Sequence, residues 1–385
     1  MAHSTATAGT YYNSGSISFS SLRSNFRAQK QRTTFSGSET FATDNNPISA
    51  SDLLRVTDTS NANPIVPNAT ENANITSSAS NWKSSQFRGS IKYYYIQQSG
   101  TNTTLNVNNL SWNSNRDLNI KKIYFVDGTI GSSAPGSPAA VMSGTTVNFE
   151  FKVSGNIWGA AGRGGGTGSG APAISGQPGG SSLQLDLPST SKNVVVNALS
   201  TARIYAGGGG GERAVNGSTG STGSCYESSQ STGCNFCPGC PGGFSFVRCD
   251  RGGGCGNKRP CNRWGNCWRV TNRWYFTTRC EKRYTIGGGA GGTGGNGGIG
   301  RGYNNQTASL AGASGTSGSP GSSCPGGNSG AGSPGGNGGP GGDWGSNGGE
   351  TPNSGSRGVA GKAIFGSNYT VTGANSSTIK GAFNP

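Results

Sequence analysis

The stretch GGGAGGTGGNGGIGRG (residues 287–302) decides how the C-terminal half of this chain folds. From Gly288 to Ile299 the sequence repeats a triplet of two glycines and one other residue, and GGNGGPGGD (residues 335–343) has the same triplet pattern. A repeat of three residues is that of the polyproline II helix, which has no internal hydrogen bonds. Such a chain places its varied residue on one face and leaves two faces of bare backbone. We therefore predict that the runs pack side by side as polyglycine II-like helices; a flexible linker and a collagen-like triple helix are the alternatives.

The segments that flank the glycine runs favour an ordered lattice over a linker. Residues 183–187 alternate leucine with polar residues, and residues 194–196 are three valines in succession. At the C-terminus, residues 361–371 and 377–381 have the pattern of a strand pair. A flexible linker does not carry apolar segments of this kind between its glycines.

The composition separates an ordinary N-terminal part from a glycine-rich part beginning near residue 155. The chain has 385 residues, of which 71 are glycine, and its hydrophobic and charged fractions of 30% and 12% are low for a globular enzyme. The net charge of +15 indicates an anionic partner such as nucleic acid, lipopolysaccharide or sulfated glycan.

Between residues 61 and 154 the sequence predicts a β-rich spacer. Aromatic and β-branched segments occur at residues 91–96, 105–112 and 120–126, and each is bounded by turn residues. In residues 147–153 apolar and polar side chains alternate strictly, as in a half-buried strand. We expect a small β-sandwich-like domain, or part of a longer β-structure, and find no catalytic constellation in it.

Two related segments near the N-terminus, ISFSSLR (residues 17–23) and ISASDLLR (residues 48–55), predict short helices. Each has serines where a helix N-cap would lie, followed by apolar residues at helical spacing. Two ordinary capped turns are the alternative. The pair resembles a motif in structural and tail proteins of marine and cyanobacterial phages, which implies docking to other tail or fibre proteins. The candidate docking residues are Ile17, Phe19, Leu22, Ile48, Leu53 and Leu54.

The glycine-rich part resembles the receptor-binding domains of phage tail fibres and tail tips, including the distal adhesins of T-even-like phages. The matching stretches are SGNIWGAAGRGGG (154–166), IYAGGGGGE (204–212), the glycine runs, and GKAIFGSNYTVTGANSSTIKGAF (361–383). In that family the glycine runs pack as a polyglycine II sandwich and the loops between them determine host specificity. The resemblance therefore directs attention to the segment inserted between the runs.

The insert between the glycine runs, residues 222–286, contains nine of the ten cysteines. Disulfides are the favoured interpretation, because a small polar segment cannot build an adequate core. One of nine is left over, and Cys324 is its expected partner. Zinc is the alternative, suggested by the two-residue spacing of three of the cysteines; no second pair completes the site and the only histidine is His3. The disulfide candidates are Cys225, Cys234, Cys237, Cys240, Cys249, Cys255, Cys261, Cys267, Cys280 and Cys324.

Over residues 225–284 ten Lys or Arg face three acidic residues, with aromatic residues interleaved among them. Trp and Tyr rings stack on sugars or bases, and the arginine fork binds phosphate or carboxylate. The alternatives are a small core covered by arginine stems and a nucleic-acid surface, although no nucleic-acid-binding motif accompanies the strip. The candidate receptor-binding residues are Arg259, Arg263, Trp264, Trp268, Arg269, Arg273, Trp274, Tyr275 and Phe276.

These inferences define a mainly β protein: a docking segment with short helices (1–60), a β-rich spacer (61–154), and a glycine-rich adhesin domain (155–385) with a disulfide-rich insert (222–286). The expected function is a non-enzymatic phage tail adhesin that recognises an anionic glycan or lipopolysaccharide, without cofactor or metal. A structural virion subunit is the alternative. A polysaccharide-degrading tailspike is not expected, because recognisable paired carboxylates are missing and so is the large repetitive β-helix expected of such an enzyme. A homotrimer or another tail-symmetric oligomer is expected.

The location is expected to be the virion tail. The N-terminus has no pattern of a secretion signal and no apolar window reaches membrane-spanning length, yet the cysteine content is typical of extracellular proteins. Assembly in the host cytoplasm followed by release on lysis reconciles these features.

Overall fold

The computed structural model describes residues 7–11, 17–18, 22, 30–32, 39–41, 49–61, 64–110, 112, 114–166, 175–234, 237–254, 274–352 and 355–383. Within them the protein is mainly β, which confirms the predicted class. The chain divides into a larger unit (Met1–Ala214, Asn296–Ala313 and Gly338–Pro385) and a smaller unit (Val215–Gly295 and Ser314–Asn337). Of the helices in the described ranges, none has the length and apolar character needed to span a lipid bilayer.

Short strands make up most of the regular structure. In chain order they are β1 Thr7–Tyr11, β2 Lys30–Arg32, β3 Glu39–Phe41, β4 Arg55–Val56, β5 Val66–Pro67, β6 Ser90–Gln98, β7 Thr101–Thr103, β8 Leu105–Asn106, β9 Lys121–Val126, β10 Thr129–Gly131, β11 Ala140–Ser143, β12 Val147–Val153, β13 Asn156–Trp158, β14 Leu183–Asp186, β15 Lys192–Ala198, β16 Arg203–Tyr205, β17 Gly223–Cys234, β18 Ser245–Gly254, β19 Trp274–Ile286, β20 Ser323–Cys324, β21 Gly327–Asn328, β22 Lys362–Ser367, β23 Thr370–Thr372, β24 Ile379–Lys380 and β25 Ala382–Phe383. The 3₁₀ helices are Ala50–Leu53, Thr70–Asn72, Ala79–Asn81, Ser84–Phe87 and Val107–Asn109.

In the larger unit three parallel sheets receive successive strands in turn. Their orders are β1-β6-β9-β12-β15-β23, β24-β16-β13-β10-β7 and β25-β22-β14-β11-β8. Only β1 at the edge of the first sheet runs antiparallel to its neighbour among these described strands. Each circuit of three strands is thus one turn of a three-faced parallel β-helix. The glycine runs and the smaller unit are inserted in the fourth turn, between β16 and β22.

This arrangement differs from the sandwich-like spacer that the sequence predicted and agrees with its alternative, part of a longer β-structure. The expectation that a repetitive β-helix is missing was wrong. β6, β9 and β12 lie at three of the predicted strand segments. The predicted strand at residues 105–112 was wrong beyond β8, because the 3₁₀ helix Val107–Asn109 follows it. The alternation of residue type reveals a strand with one buried face, but it does not distinguish a sandwich from a coil of parallel strands. Strands on both sides of residue 154 also share the same sheets, so the larger unit combines residues from all three predicted domains.

The interior of the β-helix is filled by apolar side chains stacked from turn to turn. In the second sheet Ile130, Ile157, Ile204 and Ile379 occupy one column of the parallel register, and all four are buried. Full burial of an isoleucine contributes roughly 1.5–3 kcal/mol. A repeated column therefore stabilises each turn through its neighbours and needs no helix to cover it.

Asparagines form a second column in the first sheet, at the start of β12 and β15 and just before β23. Asn148, Asn193 and Asn368 have positive φ angles of 47°, 55° and 60°, a conformation that asparagine tolerates better than most residues. The Asn193 Nδ2 donates to Asn148 Oδ1 at 2.8 Å, and Asn148 Nδ2 donates to the side chain of Asn119. The column aligns successive turns.

Within the larger unit three glycine runs are hydrogen-bonded to one another. Gly211 N donates to Gly298 O, Gly298 N to Gly339 O, and Gly339 N to Glu212 O, each at 2.8 Å. The same cycle recurs three residues along each run, through Gly208, Arg301, Gly342 and Gly209. The runs are therefore joined by regular backbone bonds, whereas a flexible linker predicts none.

The smaller unit repeats this arrangement with other segments. Gly217 N donates to Gly292 O at 2.7 Å, Gly292 N to Ser333 O at 2.9 Å, and Ser333 N to Ser218 O at 3.0 Å. A Cβ atom added at Gly292 would overlap the carbonyl oxygen of Thr316, so only glycine permits this approach. The varied residues of the run, Ala290 and Thr293, are exposed, as the three-residue pattern predicted.

Candidate functional site

The insert of the smaller unit forms a three-stranded antiparallel sheet in which β19 lies between β17 and β18. β17 (GSCYESSQSTGC) is rich in serine and glycine, which are poor strand formers. Of its described side chains only Cys225 is buried, and β19 adds the buried Thr278 and Cys280. Among its described side chains the sheet has almost no apolar core, so we expect covalent bonds to contribute much of its stability.

Three disulfides are found among the described residues of the smaller unit. They join Cys225 to Cys324, Cys237 to Cys249, and Cys240 to Cys280. The disulfide prediction is confirmed for these six cysteines, and Cys324 pairs with an insert cysteine as the odd count predicted.

The zinc alternative fails for two of its proposed ligands, because Cys237 and Cys240 are bonded to different partners and are not free thiolates. Among the described residues, no group of three or more His, Cys, Asp or Glu could hold a metal ion. Cys255, Cys261, Cys267 and the side chain of Cys234 lie outside the described part of the chain.

Two tyrosine–glutamate pairs connect β17 and β19. The Tyr226 hydroxyl donates to Glu281 Oε1 at 2.6 Å, and the Tyr284 hydroxyl donates to Glu227 Oε1 at 2.7 Å. These hydrogen bonds to carboxylates raise the pKa of both tyrosines. Both phenols therefore remain neutral donors at physiological pH, and they partly satisfy two of the insert's three carboxylates.

The positively charged side chains of this sheet have fewer hydrogen-bond and ion-pair partners than its carboxylates. Lys282 lies over the rings of Tyr284 (5.3 Å from Nζ to centroid) and Phe244 (5.9 Å). Arg283 has 82% of its side chain exposed and reaches Glu281 only at 4.0 Å. Arg279 is exposed as well. The described surface of the insert thus combines aromatic faces with cations that remain available to an external anion.

A groove of about 470 Å³ lies beside the Cys225–Cys324 bond, lined by Ser224, Cys225, Tyr226, Arg283, Tyr284, Thr285 and Gly326. On β18, Phe246 and Val247 are 61% and 45% exposed. Sequence reasoning missed Tyr226, Tyr284, Phe246 and Val247 because the candidates were drawn from residues 259–276, where basic and aromatic residues interleave most densely. The sequence did indicate Tyr226 and Tyr284 as possible surface residues, since each tyrosine stands next to a charged residue in a strand-like segment.

The predicted receptor-binding residues fall mostly outside the described part of the chain. Arg259, Arg263, Trp264, Trp268, Arg269 and Arg273 belong to residues 255–273, which follow β18 and precede β19 in the chain. Trp274, Tyr275 and Phe276 begin β19, where their backbones pair with Gly254, Cys234 and Gly233. Their side chains are not described, and the assignment of the strip stays a prediction.

The predicted docking residues can be followed in part. In the larger unit Leu22 and Leu53 are fully buried in one apolar cluster with Val66, Ile75 and Phe87, and Ile17 packs against it. Leu54 is half-buried, and Phe19 and Ile48 lie outside the described residues. The two related N-terminal segments therefore meet through Leu22 and Leu53.

The second of these segments begins as its serines predicted. The Ser49 backbone N–H donates to Asp52 Oδ2 at 2.7 Å, and the 3₁₀ helix Ala50–Leu53 follows. In the first segment Leu22 N donates to Ser18 O at 3.1 Å, which is the spacing of an α-helical turn. With Leu22 and Leu53 turned into the cluster, any docking contact would use the outer residues of these turns, and docking stays a prediction.

Comparison with known proteins finds a structural similarity to the adhesin tip of a phage long tail fibre. No family model and no curated protein sequence matches the chain. Among solved structures the chain is similar to the crystal structure of the gp37–gp38 adhesin tip complex of the bacteriophage S16 long tail fiber. The identity is 19%, the match covers 79% of this chain and 87% of that chain, and the TM-score is 0.37. Similarity of this degree transfers no role to this chain.

Proposed function

We propose that this chain is a non-enzymatic adhesin of a phage tail, in which the insert of the smaller unit recognises an anionic glycan or lipopolysaccharide on the host. The observation that supports this most is the contrast within the insert. Among its described residues it has almost no apolar core and three disulfides, and its exposed side chains include the cations Arg248, Arg279 and Arg283 and the rings of Tyr226 and Phe246. A segment stabilised in this way presents its side chains to a partner rather than to its own interior.

The chemistry of recognition follows from these side chains. Positive charge attracts an acidic cell surface over distances of about a Debye length, roughly 8–10 Å at physiological ionic strength. At contact, the arginine fork of Arg279 or Arg283 binds a carboxylate or phosphate in bidentate fashion. The exposed ring of Phe246 supplies a flat apolar face for a sugar ring. Binding should therefore weaken as salt increases.

The glycine runs act in this proposal as a rigid support. Their backbone bonds recur every three residues, which is the spacing of polyglycine II, and we assign them to that structure. A regular lattice with exposed varied residues restricts the insert without contributing specificity. The N-terminal segments would join the chain to neighbouring tail proteins, and a trimer or another tail-symmetric assembly is expected.

A structural virion subunit without receptor contact is the second candidate. A structural subunit needs a stable fold and no ligand surface. The burial of Leu22 and Leu53 contributes to such a fold and therefore favours this candidate. Location and copy number in the particle discriminate between the two, since an adhesin must lie at a distal tail position and a decoration protein need not.

The direct test is adsorption by particles that carry R263A/W264A/R269A/W274A. We expect these particles to assemble normally and to lose adsorption to host cells. A matched control is K192Q/K362Q, which removes two exposed positive charges from the larger unit and should leave adsorption unchanged. Normal adsorption by the quadruple variant would remove the insert from host recognition.

A further inference from the structure

A cleft in the larger unit, outside the predicted receptor surface, has the composition of a sugar site. Its volume is about 390 Å³, within the range of small-molecule pockets. It is lined by Trp158, Arg203, Tyr205, Arg301, Gln306, Trp344 and Lys380. Nothing in the sequence suggested that these residues meet.

The parallel β-helix brings them together. Trp158, Tyr205 and Lys380 occupy one column of the register on β13, β16 and β24, so their side chains lie side by side on one face of the second sheet. That face is the outer one, because the residues that alternate with them, Ile157 and Ile204, are buried in the core. The register thus makes a flat strip with two aromatic side chains followed by a cation.

A third ring completes the aromatic part. Trp344 packs against Trp158, with ring centroids 5.5 Å apart and an interplanar angle of 38°, and against Tyr205 at 5.6 Å and 55°. Trp344 is itself only 6% exposed, which fixes its position. The Tyr205 hydroxyl donates to Ser377 O at 2.6 Å and is fixed as well. The rings are therefore held in place before any ligand arrives.

The cations around these rings exceed the acids. Arg301 lies over Trp344 (5.5 Å from Cζ to the centroid) and Lys380 over Tyr205 (5.0 Å from Nζ). Arg301 also pairs with Asp343 at 3.2 Å. Neither Arg203 nor Lys380 has a carboxylate partner within the described ranges. Two positive charges thus remain for an external anion beside a flat aromatic face.

We propose that this cleft binds a pyranose sugar that carries a carboxylate. The ring would stack on the aromatic cluster through its C–H face, Arg203 and Lys380 would bind the carboxylate, and Gln306 would hydrogen-bond a hydroxyl. Single-stranded nucleic acid uses similar side chains, but it requires a groove that follows the backbone over several nucleotides. A short cleft of about 390 Å³ with three rings at different tilts fits one or two sugar units better. This site does not depend on binding by the insert.

The test is calorimetric titration of the full-length protein with digalacturonate, with neutral galactobiose and oligo-dT as comparison probes. We expect saturable binding of digalacturonate in the millimolar range or tighter, and much weaker binding of galactobiose. R203Q/K380Q should weaken digalacturonate binding by roughly 10- to 100-fold, as expected for loss of charge-assisted hydrogen bonds. K192Q/K362Q, which removes the same charge from exposed positions of the same unit, should bind as the unmodified protein does.

Three results would overturn the site. One is the absence of saturable digalacturonate binding by folded protein. Another is an equal loss of affinity in both double variants, which would indicate a general charge effect. The third is tighter binding of oligo-dT than of digalacturonate with the same dependence on Arg203 and Lys380, which would assign the cleft to nucleic acid.

Discussion

Cys225 on β17 is bonded to Cys324 on β20, 99 residues further along the chain. The bond connects the strand sheet of the insert to a glycine-rich segment of the same unit. Closing a loop of this length removes conformational freedom from the unfolded chain, and the loop-entropy relation assigns it up to about 4.7 kcal/mol. We expect C225S/C324S to lose most of the stability of the smaller unit, as measured by hydrogen–deuterium exchange of β17 and β19.

The matched control is C237S/C249S, which opens a loop of only 12 residues. The same relation assigns this bond about 2.8 kcal/mol, so the control should lose less protection. Equal losses of protection in the two variants would contradict the larger contribution that we assign to the Cys225–Cys324 bond.

Substitution within the glycine run should separate lattice positions from outward positions. Gly292 is buried, and a Cβ atom there would overlap the backbone of Thr316, whereas Ala290 is exposed. We expect Gly292→Ala to destabilise the smaller unit by roughly 2 kcal/mol or more, because backbone must move to accommodate the methyl group. Ala290→Ser also adds one heavy atom and should change stability by less than about 0.5 kcal/mol.

Hydrogen–deuterium exchange of the run amides checks this prediction. Gly289 and Gly292 N–H groups should be protected in the unmodified protein, since each donates to a backbone carbonyl at 2.9 Å. Fast exchange throughout residues 288–302, or equal effects of the two substitutions, would return the run to the flexible-linker interpretation.

The asparagine column offers a test that separates backbone conformation from hydrogen bonding. Asn148 is buried, has a φ of 47°, and accepts from Asn193 Nδ2. Asn148→Ala removes the bonds and strains the backbone, with an expected loss of roughly 2–4 kcal/mol. Asn148→Gly removes the same bonds but permits the positive φ, so its loss should be smaller by about 1 kcal/mol. Denaturant unfolding of the larger unit measures both, and a glycine variant as unstable as the alanine variant would contradict the conformational part.

A buried lysine should make stability depend on pH. Lys122 is fully buried, and its Nζ donates to the carbonyls of Asn115 at 2.8 Å and Leu118 at 2.9 Å. Burial lowers the pKa of Lys122 to about 7, while the Asp117 charge opposes this shift and the Arg116 charge adds to it.

In the unfolded chain the same amine stays protonated up to pH 10.5, its ordinary pKa. Between these values the unfolded state binds more protons, so stability should rise with pH, by at most about 1.4 kcal/mol per pH unit from this group. Lys122→Met should show a flatter dependence between pH 7 and 9.5. A parallel dependence of the two proteins would contradict the burial of a largely neutral amine.

The sequence predicted strand positions, glycine packing and disulfides because each depends on local pattern or on cysteine count. It did not predict the parallel β-helix, since the column of Ile130, Ile157, Ile204 and Ile379 becomes visible only once the register is known. The alternating pattern of residues 147–153 likewise predicts an outward side chain for Asn148, whereas the structure buries it in the asparagine column.

The candidate sites likewise combine features that the sequence predicts with features that depend on strand register. The cationic and aromatic character of the insert was evident from composition, and the two Tyr–Glu pairs follow from strand register that composition does not give. Trp158, Tyr205 and Lys380 are far apart in the chain, and each alone looks like an ordinary surface residue. Only the parallel stacking of β13, β16 and β24 brings them together.

The most direct test of the account is where this chain lies on the intact particle. Antibody fragments raised against the smaller unit, followed by electron microscopy of particles of the encoding phage, would locate it. We expect label at the distal end of the tail or its fibres, and inhibition of host adsorption by the same fragments. Label confined to the capsid or the tail sheath, with adsorption unaffected, would contradict the assignment as an adhesin.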